Sequence, residues 1–529
     1  MMKKNKLITT LCCISILGTL SSCLYFNFSD DSSTDRGSNN AGHYSTPTYG
    51  ANDSADNITL KNIGLSFGQR YLPSTGNSKI LVVPIQLTDR SFTSVELSRL
   101  DKTFFGTKAE TGWESLASYY EESSGGQLHI SGEVSEVVNM GISSSQLETN
   151  DKNYGKSGSY TDVILDSALS ALNKSGMDLS SYDTDSDGYI DAVWMVYSVK
   201  YNSNSNALWA YTTWSGKTTS FGGKKACLYS WASIDFLTDG GYWPTSSDTN
   251  GDAHTIVHET GHMLGLDDYY SYDYDRSTNF DTPLGGLDMM DFNIGDHNAY
   301  SKYLLGWYKP TIITEEYLIA NNNVINLTSF ADTGKSLLIP CYKDGASVYN
   351  GTPFDEYLLV QYYTPTGVNQ VDATVAYENG AKMFSKPGVM VLHVNASIGK
   401  LTTGRDNTIN WDNCLYDKLP AYNSSTWGVY FAYWYVYSNT RSYSYDQSFA
   451  ELNYDFYKGT LLSLLPSTGK KIQGSKTNYA SNSSLYMKGD AFHSKDPYDF
   501  TFDDWSVPQY GFEVKNTSSS NCELTFSAF

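Results

Sequence analysis

Residues 258–270, HETGHMLGLDDYY, place two histidines, one glutamate and two adjacent aspartates within thirteen positions. Residues four apart on a helix share one face, so the imidazoles of His258 and His262 can point at one metal ion. Glu259 then lies beside the metal without binding it, where its carboxylate can accept a proton from water. This H-E-x-x-H pattern is typical of zinc hydrolases, in which the metal activates a water molecule.

A catalytic zinc ion needs a third protein ligand. One class of H-E-x-x-H enzymes takes a glutamate from a later helix, but no glutamate occurs between His262 and Glu315. In the pattern H-E-x-x-H-x-x-G-x-x-H, a glycine instead turns the chain back towards the metal. Gly265 occupies the glycine position and Asp268 the last ligand position, whereas Asp267 is one residue early. We therefore predict that Asp268 binds Zn²⁺ together with the two histidines.

A methionine pair, Met289 and Met290, follows in the segment GGLDMMDFN. Metzincins, which share the extended zinc motif, carry a methionine-containing turn beneath the metal. Methionine pairs in apolar loops are also common as core filling. The nearby zinc motif favours the Met-turn interpretation here.

These motifs resemble the immune inhibitor A-like metallopeptidases of the M6 family, whose signature is close to H-E-x-G-H-x-L-G-L-x-D-x-Y. The segment HETGHMLGLDDYY matches it as written, and SLASYYEESSGGQLHISGEV and LDMMDFNIGDHNAYSKYLLGW are similar to other segments of the family. The resemblance covers roughly residues 60–529 and is strongest at 110–310. It implies a metzincin-like peptidase domain, with Asp268 as third ligand and Met290 as the Met-turn residue. One departure is Asp267, where the family often has proline.

A second metal site is predicted in DTDSDGYID, residues 183–191. Four aspartates, Asp183, Asp185, Asp187 and Asp191, match positions 1, 3, 5 and 9 of a calcium-binding loop. Position 12 is Trp194 rather than glutamate, so the segment is not an EF-hand. The M6 family has a similar segment that binds calcium, and the resemblance therefore implies Ca²⁺. The alternative is an ordinary acidic turn.

The N-terminus indicates an exported protein. Three early lysines and an apolar run over residues 7–20 predict a signal peptide at 1–22, too short for a spanning helix. The run ends in LSSC, which resembles the lipobox of bacterial lipoproteins and implies that Cys23 carries the lipid. Residues 23–58 are then expected to form a disordered tether rich in Ser, Asn and Asp. The predicted location is the bacterial cell surface, by lipid attachment to the membrane, or the secreted fraction.

The strands and helices that the sequence predicts around the metal motif indicate an α+β protein. Strand patterns such as KILVVPIQL alternate with helical ones, near 112–122 and at 162–173, up to Trp307. Beyond it, short apolar runs such as EYLLVQYY and GVMVLHV predict a sandwich-like β region. We expect a catalytic domain at 59–310 and a β-rich C-terminal region at 311–529. Cys227, Cys341, Cys414 and Cys522 are widely spaced, and their pairing stays open.

The net charge of −21 and the pI near 4.7 argue against nucleic acid as a partner. The sequence therefore predicts a lipid-anchored, monomeric zinc endopeptidase that hydrolyses extracellular proteins or peptides, with Glu259 as general base. The alternative is a surface adhesin or glycan-binding protein with an inactive peptidase-like domain. The intact motif residues His258, Glu259 and His262 favour the enzyme.

Overall fold

The structure of the protein is a computed structural model. It describes residues 59–61, 69–154, 159–237, 250–270, 280–281, 283–343, 346–347, 349–377, 382–396, 399–400, 430–431, 461–469, 473–474, 479–493, 500, 502 and 507–528. The predicted signal peptide, Cys23 and the tether lie outside the described residues, as do Cys414 and most of the apolar run at 427–437.

The N-terminal half is built around a six-stranded mixed sheet. Its central strands are parallel, and one antiparallel strand, Tyr211–Trp214, forms an edge beside Leu228–Ser233. The strands in spatial order are Leu128–Val134, Gly76–Gln86, Ala192–Tyr197, Leu228–Ser233 and Tyr211–Trp214, with Val138–Asn139 also paired to Gly76–Gln86. A separate three-stranded sheet contains Tyr189–Ile190, Lys224–Ala226 and Ser220–Phe221.

Helices cover both faces of the six-stranded sheet. Alternate residues of a strand point to opposite faces, so Ile80 and Val82 belong to one hydrophobic cluster and Leu81 and Val83 to another. The first cluster includes residues of the helix that carries the H-E-x-x-H motif, and the second includes residues of Thr161–Ser175. The helices are Ser94–Phe105, Lys108–Thr111, Leu116–Ser123, Ser144–Tyr154, Thr161–Ser175, His254–Met263, Met289–Phe292, Ala299–Leu304, Glu315–Ala320, Phe330–Thr333 and Asn369–Asp372, with 3-10 turns at Leu179–Tyr182, Asn206–Leu208, Ile234–Leu237 and Asn482–Ser484.

The C-terminal half contains two larger sheets and several two-stranded ones. The five-stranded sheet is formed, in order, by Thr311–Ile312, Ser336–Pro340, Glu356–Tyr363, Gly388–Asn395 and Leu462–Leu464. The four-stranded sheet is formed by Val324–Thr328, Asn521–Ala528, Tyr510–Thr517 and Ala491–Phe492. The two-stranded pairs are Phe280–Asp281 with Gln473–Gly474, Tyr342–Lys343 with Ala346–Ser347, and Gly399–Lys400 with Tyr430–Phe431. Together with the N-terminal half, this confirms the α+β class.

The five-stranded sheet is buried on both faces. Leu359 and Leu392 pack in the cluster that contains the motif helix, whereas Leu358 and Val391 pack with residues of the four-stranded sheet. One hydrophobic core therefore crosses residue 310, the expected domain boundary. Among the described residues, no helix combines the length and apolar character needed to span a bilayer.

Candidate metal centre

The helix His254–Met263, called the motif helix below, carries both motif histidines and is buried along its whole length. Ten residues make a marginal helix in water, so its stability depends on packing. Ile256 and Val257 belong to the core, and a buried side chain of this size contributes roughly 1.5–3 kcal/mol. At the start of the helix, Asp252 accepts a hydrogen bond from the backbone N–H of His254 (2.9 Å).

The motif helix ends in a turn that depends on Gly265. Its φ of +98° lies in the left-handed region that favours glycine. The N–H of Leu266 donates to the carbonyl of Gly261 (3.0 Å), and that of Gly265 to the carbonyl of His262 (2.9 Å), which is a Schellman motif. This turn reverses the chain and brings Asp268 back beside the helix.

Three buried side chains converge after this turn. The Oδ1 atom of Asp268 lies 3.0 Å from Nε2 of His258 and 3.3 Å from Nε2 of His262. One potential ligand atom from each residue lies within 4.8 Å of the others. Burial opposes ionisation of Asp268, but the two imidazoles hold its pKa well below the usual range. Two nitrogens and one carboxylate oxygen form a donor set that fits Zn²⁺.

Backbone carbonyls fix how both imidazole rings face this cluster. Nδ1 of His258 lies 2.7 Å from the carbonyl oxygen of Met289, and Nδ1 of His262 lies 2.7 Å from that of Leu266. Since a carbonyl only accepts, each Nδ1 carries the proton and donates it. Each Nε2 is then the atom that faces Asp268 and can bind a metal.

Asp267 is oriented differently from its neighbour. It does not belong to the group of three, and its buried Oδ2 has no hydrogen-bond partner among the described residues. Burial raises the pKa of Asp267 well above its usual range. The geometry therefore brings Asp268, and not Asp267, to the two histidines.

Glu259 lies within the motif helix at 1% exposure. The Thr212 hydroxyl, on the antiparallel edge strand, lies 3.0 Å from Oε2 of Glu259 and 2.8 Å from its carbonyl oxygen. Burial raises the pKa of Glu259, and His262, His258 and the Thr212 hydroxyl oppose that shift. A carboxylate in these surroundings is suited to exchanging protons with a bound water molecule. Sequence analysis did not identify Thr212, because its role depends on strand order and not on a motif.

The two methionines have different roles at the centre. The Met289 carbonyl accepts a hydrogen bond from Nδ1 of His258, whereas the Met290 sulfur packs against Gly261 in the last turn of the motif helix. A Cβ atom at position 261 would overlap that sulfur. The Met290 carbonyl accepts a hydrogen bond from the N–H of Tyr269 (2.7 Å), so this turn also holds the segment next to Asp268. The Met-turn role of Met290 stays a prediction.

The predicted calcium loop brings three of its four aspartates together. Asp183, Asp185 and Asp191 each offer a carboxylate oxygen within 4.8 Å of the others. Asp187 is not part of this group: its Oδ2 lies 3.2 Å from Nε of Arg70. Its Oδ1 accepts a hydrogen bond from the backbone N–H of Tyr189.

Two lysines already contact two of the three clustered carboxylates. Nζ of Lys224 lies 2.6 Å from Asp183, and Nζ of Lys61 lies 2.8 Å from Asp185. Asp191 accepts hydrogen bonds from the backbone N–H groups of Thr184 (2.9 Å) and Lys79 (3.1 Å). Part of the loop charge is thus balanced by the protein itself.

The buried histidines His254, His297 and His393 lie outside the group formed by His258, His262 and Asp268. The His254 ring is stacked between the rings of Trp113 and Tyr377. Its two nitrogens form ion pairs with Asp252 and Asp372. His393 lies in a strand, with Nε2 at 2.9 Å from Glu356. His297 is buried among aromatic rings, and neither ring nitrogen has a hydrogen-bond partner among the described residues.

Comparison with known proteins adds no assignment. No protein-family model matches the chain, and no curated protein matches its sequence. The resemblance to the M6 family thus rests on the motifs quoted above and stays a prediction.

Proposed function

We propose that this protein is a zinc endopeptidase with a metzincin-like catalytic domain of the M6 type. The observation that carries the proposal is the convergence of His258, His262 and Asp268, with Glu259 next to His258 on the motif helix. The fixed Nδ1 protons support it further, because they leave both Nε2 atoms available for a metal.

His258, His262 and Asp268 would hold the ion. Zn²⁺, when bound, supplies a Lewis acid that lowers the pKa of water and polarises a carbonyl. Glu259 accepts a proton from the attacking water molecule, whose oxygen forms a bond to the peptide carbonyl carbon. The carbon–nitrogen bond then breaks, and Glu259 transfers the proton to the departing amine. Proteins and peptides are the substrate class.

Cleavage of casein and gelatin by the purified chain, with zinc content measured by mass spectrometry, tests the proposal. Glu259→Gln should keep zinc and lose cleavage, because the side chain keeps its shape and loses its basic oxygen. Glu136→Gln, the same change at an exposed glutamate, is the matched control and should cleave like wild type. A wild-type protein that holds zinc yet cleaves no protein or library peptide would favour the adhesin alternative.

We also propose that the loop 183–191 binds Ca²⁺ as a structural ion. Its support is the grouping of Asp183, Asp185 and Asp191, whose oxygens are suitable ligands for a hard cation. Asp187 is left out of the ligand set because Arg70 engages it. This differs from the sequence expectation, in which all four aspartates are ligands.

For location, we propose lipid attachment through Cys23 at the bacterial cell surface, with the enzyme acting as a monomer. The support is the LSSC sequence after an apolar segment. Cys23→Ser should abolish incorporation of labelled fatty acid and move the protein from the membrane to the soluble fraction. A variant that stays in the membrane fraction would contradict this attachment.

A further inference from the structure

Two buried hydroxyl groups, on the edge strand Tyr211–Trp214 and on the neighbouring strand Leu228–Ser233, lead to Glu259. Thr212 on the edge strand lies directly opposite Ser230 in the antiparallel register, so both side chains point to the same face. The two hydroxyl oxygens are 2.6 Å apart. Thr212 also lies 3.0 Å from Oε2 of Glu259, and all three residues are at most 1% exposed.

The direction of these hydrogen bonds follows from counting protons. The Glu259 carboxylate and carbonyl oxygens only accept, so the single hydroxyl proton of Thr212 must point towards Glu259. Ser230 must therefore donate its own proton to the Thr212 oxygen. This donation polarises the Thr212 hydroxyl and strengthens the hydrogen bond that it gives to Glu259.

A buried threonine hydroxyl commonly donates its hydrogen bond to a nearby backbone carbonyl without any further role. The 2.8 Å contact with the Glu259 carbonyl is of this kind. The same hydroxyl also faces Oε2 at 3.0 Å, so Thr212 gives one three-centre hydrogen bond, and its component to Oε2 fixes one oxygen of the carboxylate. With Oε2 held, rotation of the carboxylate is restricted, and Oε1 is restricted with it. A general base must lie within hydrogen-bond reach of the proton it removes, so this restriction affects the chemical step.

We infer that Thr212 is a positioning residue for the general base, and that Ser230 directs the Thr212 proton. This inference rests on the proposed peptidase function. Thr212 holds Oε2 of Glu259 and leaves Oε1 to exchange the proton with water and the leaving amine. Among the described residues, the hydroxyls of Thr212 and Ser230 form hydrogen bonds to one another and to Glu259 and none to a zinc ligand, so the role is separable from metal binding.

Thr212→Val is the decisive variant, since valine fills nearly the same space without a hydroxyl. We expect kcat on a peptide substrate to fall roughly ten- to hundredfold, the effect of losing a hydrogen bond to a charged group. KM should change less than about twofold, and zinc content should stay at the wild-type level, because ground-state binding and the ligands are untouched. Thr212→Ser restores the hydroxyl and should recover most of kcat.

Thr213→Val is the matched control, because it makes the same change on the same strand with the side chain on the opposite face. It should behave like wild type. If the wild type is active and Thr212→Val has the same kcat, the inference is overturned. It is also overturned if Thr212→Val loses activity because it has lost zinc, or if Thr212→Ser loses as much kcat as Thr212→Val. A wild type that is inactive with zinc bound would instead refute the proposed function, so the two failures are distinguishable.

Discussion

The sulfur of Met290 lies against Gly261, the glycine of the H-E-T-G-H motif, where a Cβ atom would overlap it. A glycine inside a helix costs about 1 kcal/mol relative to alanine, so close packing must justify it. Gly261→Ala should therefore lower thermal stability and weaken zinc binding, despite the better helix propensity of alanine. Thermal unfolding and zinc titration would measure both effects.

Gly216→Ala provides the matched control, because a Cβ there meets nothing within 4 Å. It should leave stability and zinc binding unchanged. The double variant Gly261→Ala with Met290→Ala should be less damaged than the sum of the two single variants, since removing the sulfur makes room for the new methyl group. Additive effects in this cycle would show that the two residues do not constrain one another.

The adjacent aspartates should respond differently to the same substitution. Asp268→Ala removes the oxygen that lies within 3.3 Å of both motif imidazoles and should abolish zinc binding at ordinary zinc concentrations. Asp267→Ala should retain zinc, because Asp267 is outside the cluster. Zinc binding by each variant is measured as metal content by mass spectrometry and as competition with a chelator. Zinc loss in Asp267→Ala alone would reverse the ligand assignment.

Local patterns predicted the elements that bear the site. The apolar runs at 356–363 and 388–394 are strands at Glu356–Tyr363 and Gly388–Asn395, and the helical spacing at 162–173 is the helix Thr161–Ser175. These predictions succeeded because burial of one or both faces of a strand or helix determines the spacing of its apolar residues. The helix Ser94–Phe105 is not among the predicted elements, although Thr93 and Glu96 form a capping box, a helix-start signal that is present in the sequence.

Contacts between distant segments could not be predicted in this way. Thr212 reaches Glu259 only because the edge strand packs beside the motif helix, and Asp372 reaches His254 across 118 positions. The local periodicity of apolar residues does not show which strand lies at the edge of a sheet or which loop is buried in a core. The pairing of Asp187 with Arg70 is a similar case, since an acidic loop pattern cannot reveal the cation that engages one of its members.

Calcium should stabilise the protein through the loop 183–191. Millimolar Ca²⁺ should raise the midpoint of thermal unfolding, because an ion relieves repulsion among Asp183, Asp185 and Asp191. Asp185→Asn should remove most of this response, whereas Asp187→Asn should keep it, since Arg70 holds that side chain outside the group. The midpoints of thermal unfolding of wild type and both variants are compared in Ca²⁺ and in Mg²⁺. An equal loss in both variants would place Asp187 among the ligands.

The buried ion pairs of His254 connect the motif helix to the β-rich half. Nδ1 lies 2.5 Å from Asp252, and Nε2 lies 3.4 Å from Asp372 of the helix Asn369–Asp372. The ring is stacked between Trp113 and Tyr377, with centroids 3.6 and 4.4 Å away. Burial lowers the pKa of His254, but the two carboxylates outweigh it and raise the pKa to about 9.

The sign of the resulting pH dependence follows from this raised pKa. The unfolded chain has the ordinary value of 6.5, so the stabilisation by protonated His254 is fully present below about pH 6.5 and is lost as the pH rises through about 9. His254→Gln cannot gain the proton and should be destabilised most at low pH, by on the order of 3 kcal/mol. The difference from wild type should shrink towards about pH 9. Urea unfolding at several pH values in saturating zinc measures it.

His129→Gln makes the same change at an exposed histidine paired with Glu121 and should have little effect at any pH. Saturating zinc matters because His262 also titrates in this range when no ion is bound, with a pKa raised to about 9. Subtracting the variant from wild type at each pH then isolates His254. A difference that stays constant from about pH 6 to about pH 9 would mean that His254 is neutral in the folded protein, and that the aspartates hold it by hydrogen bonds alone.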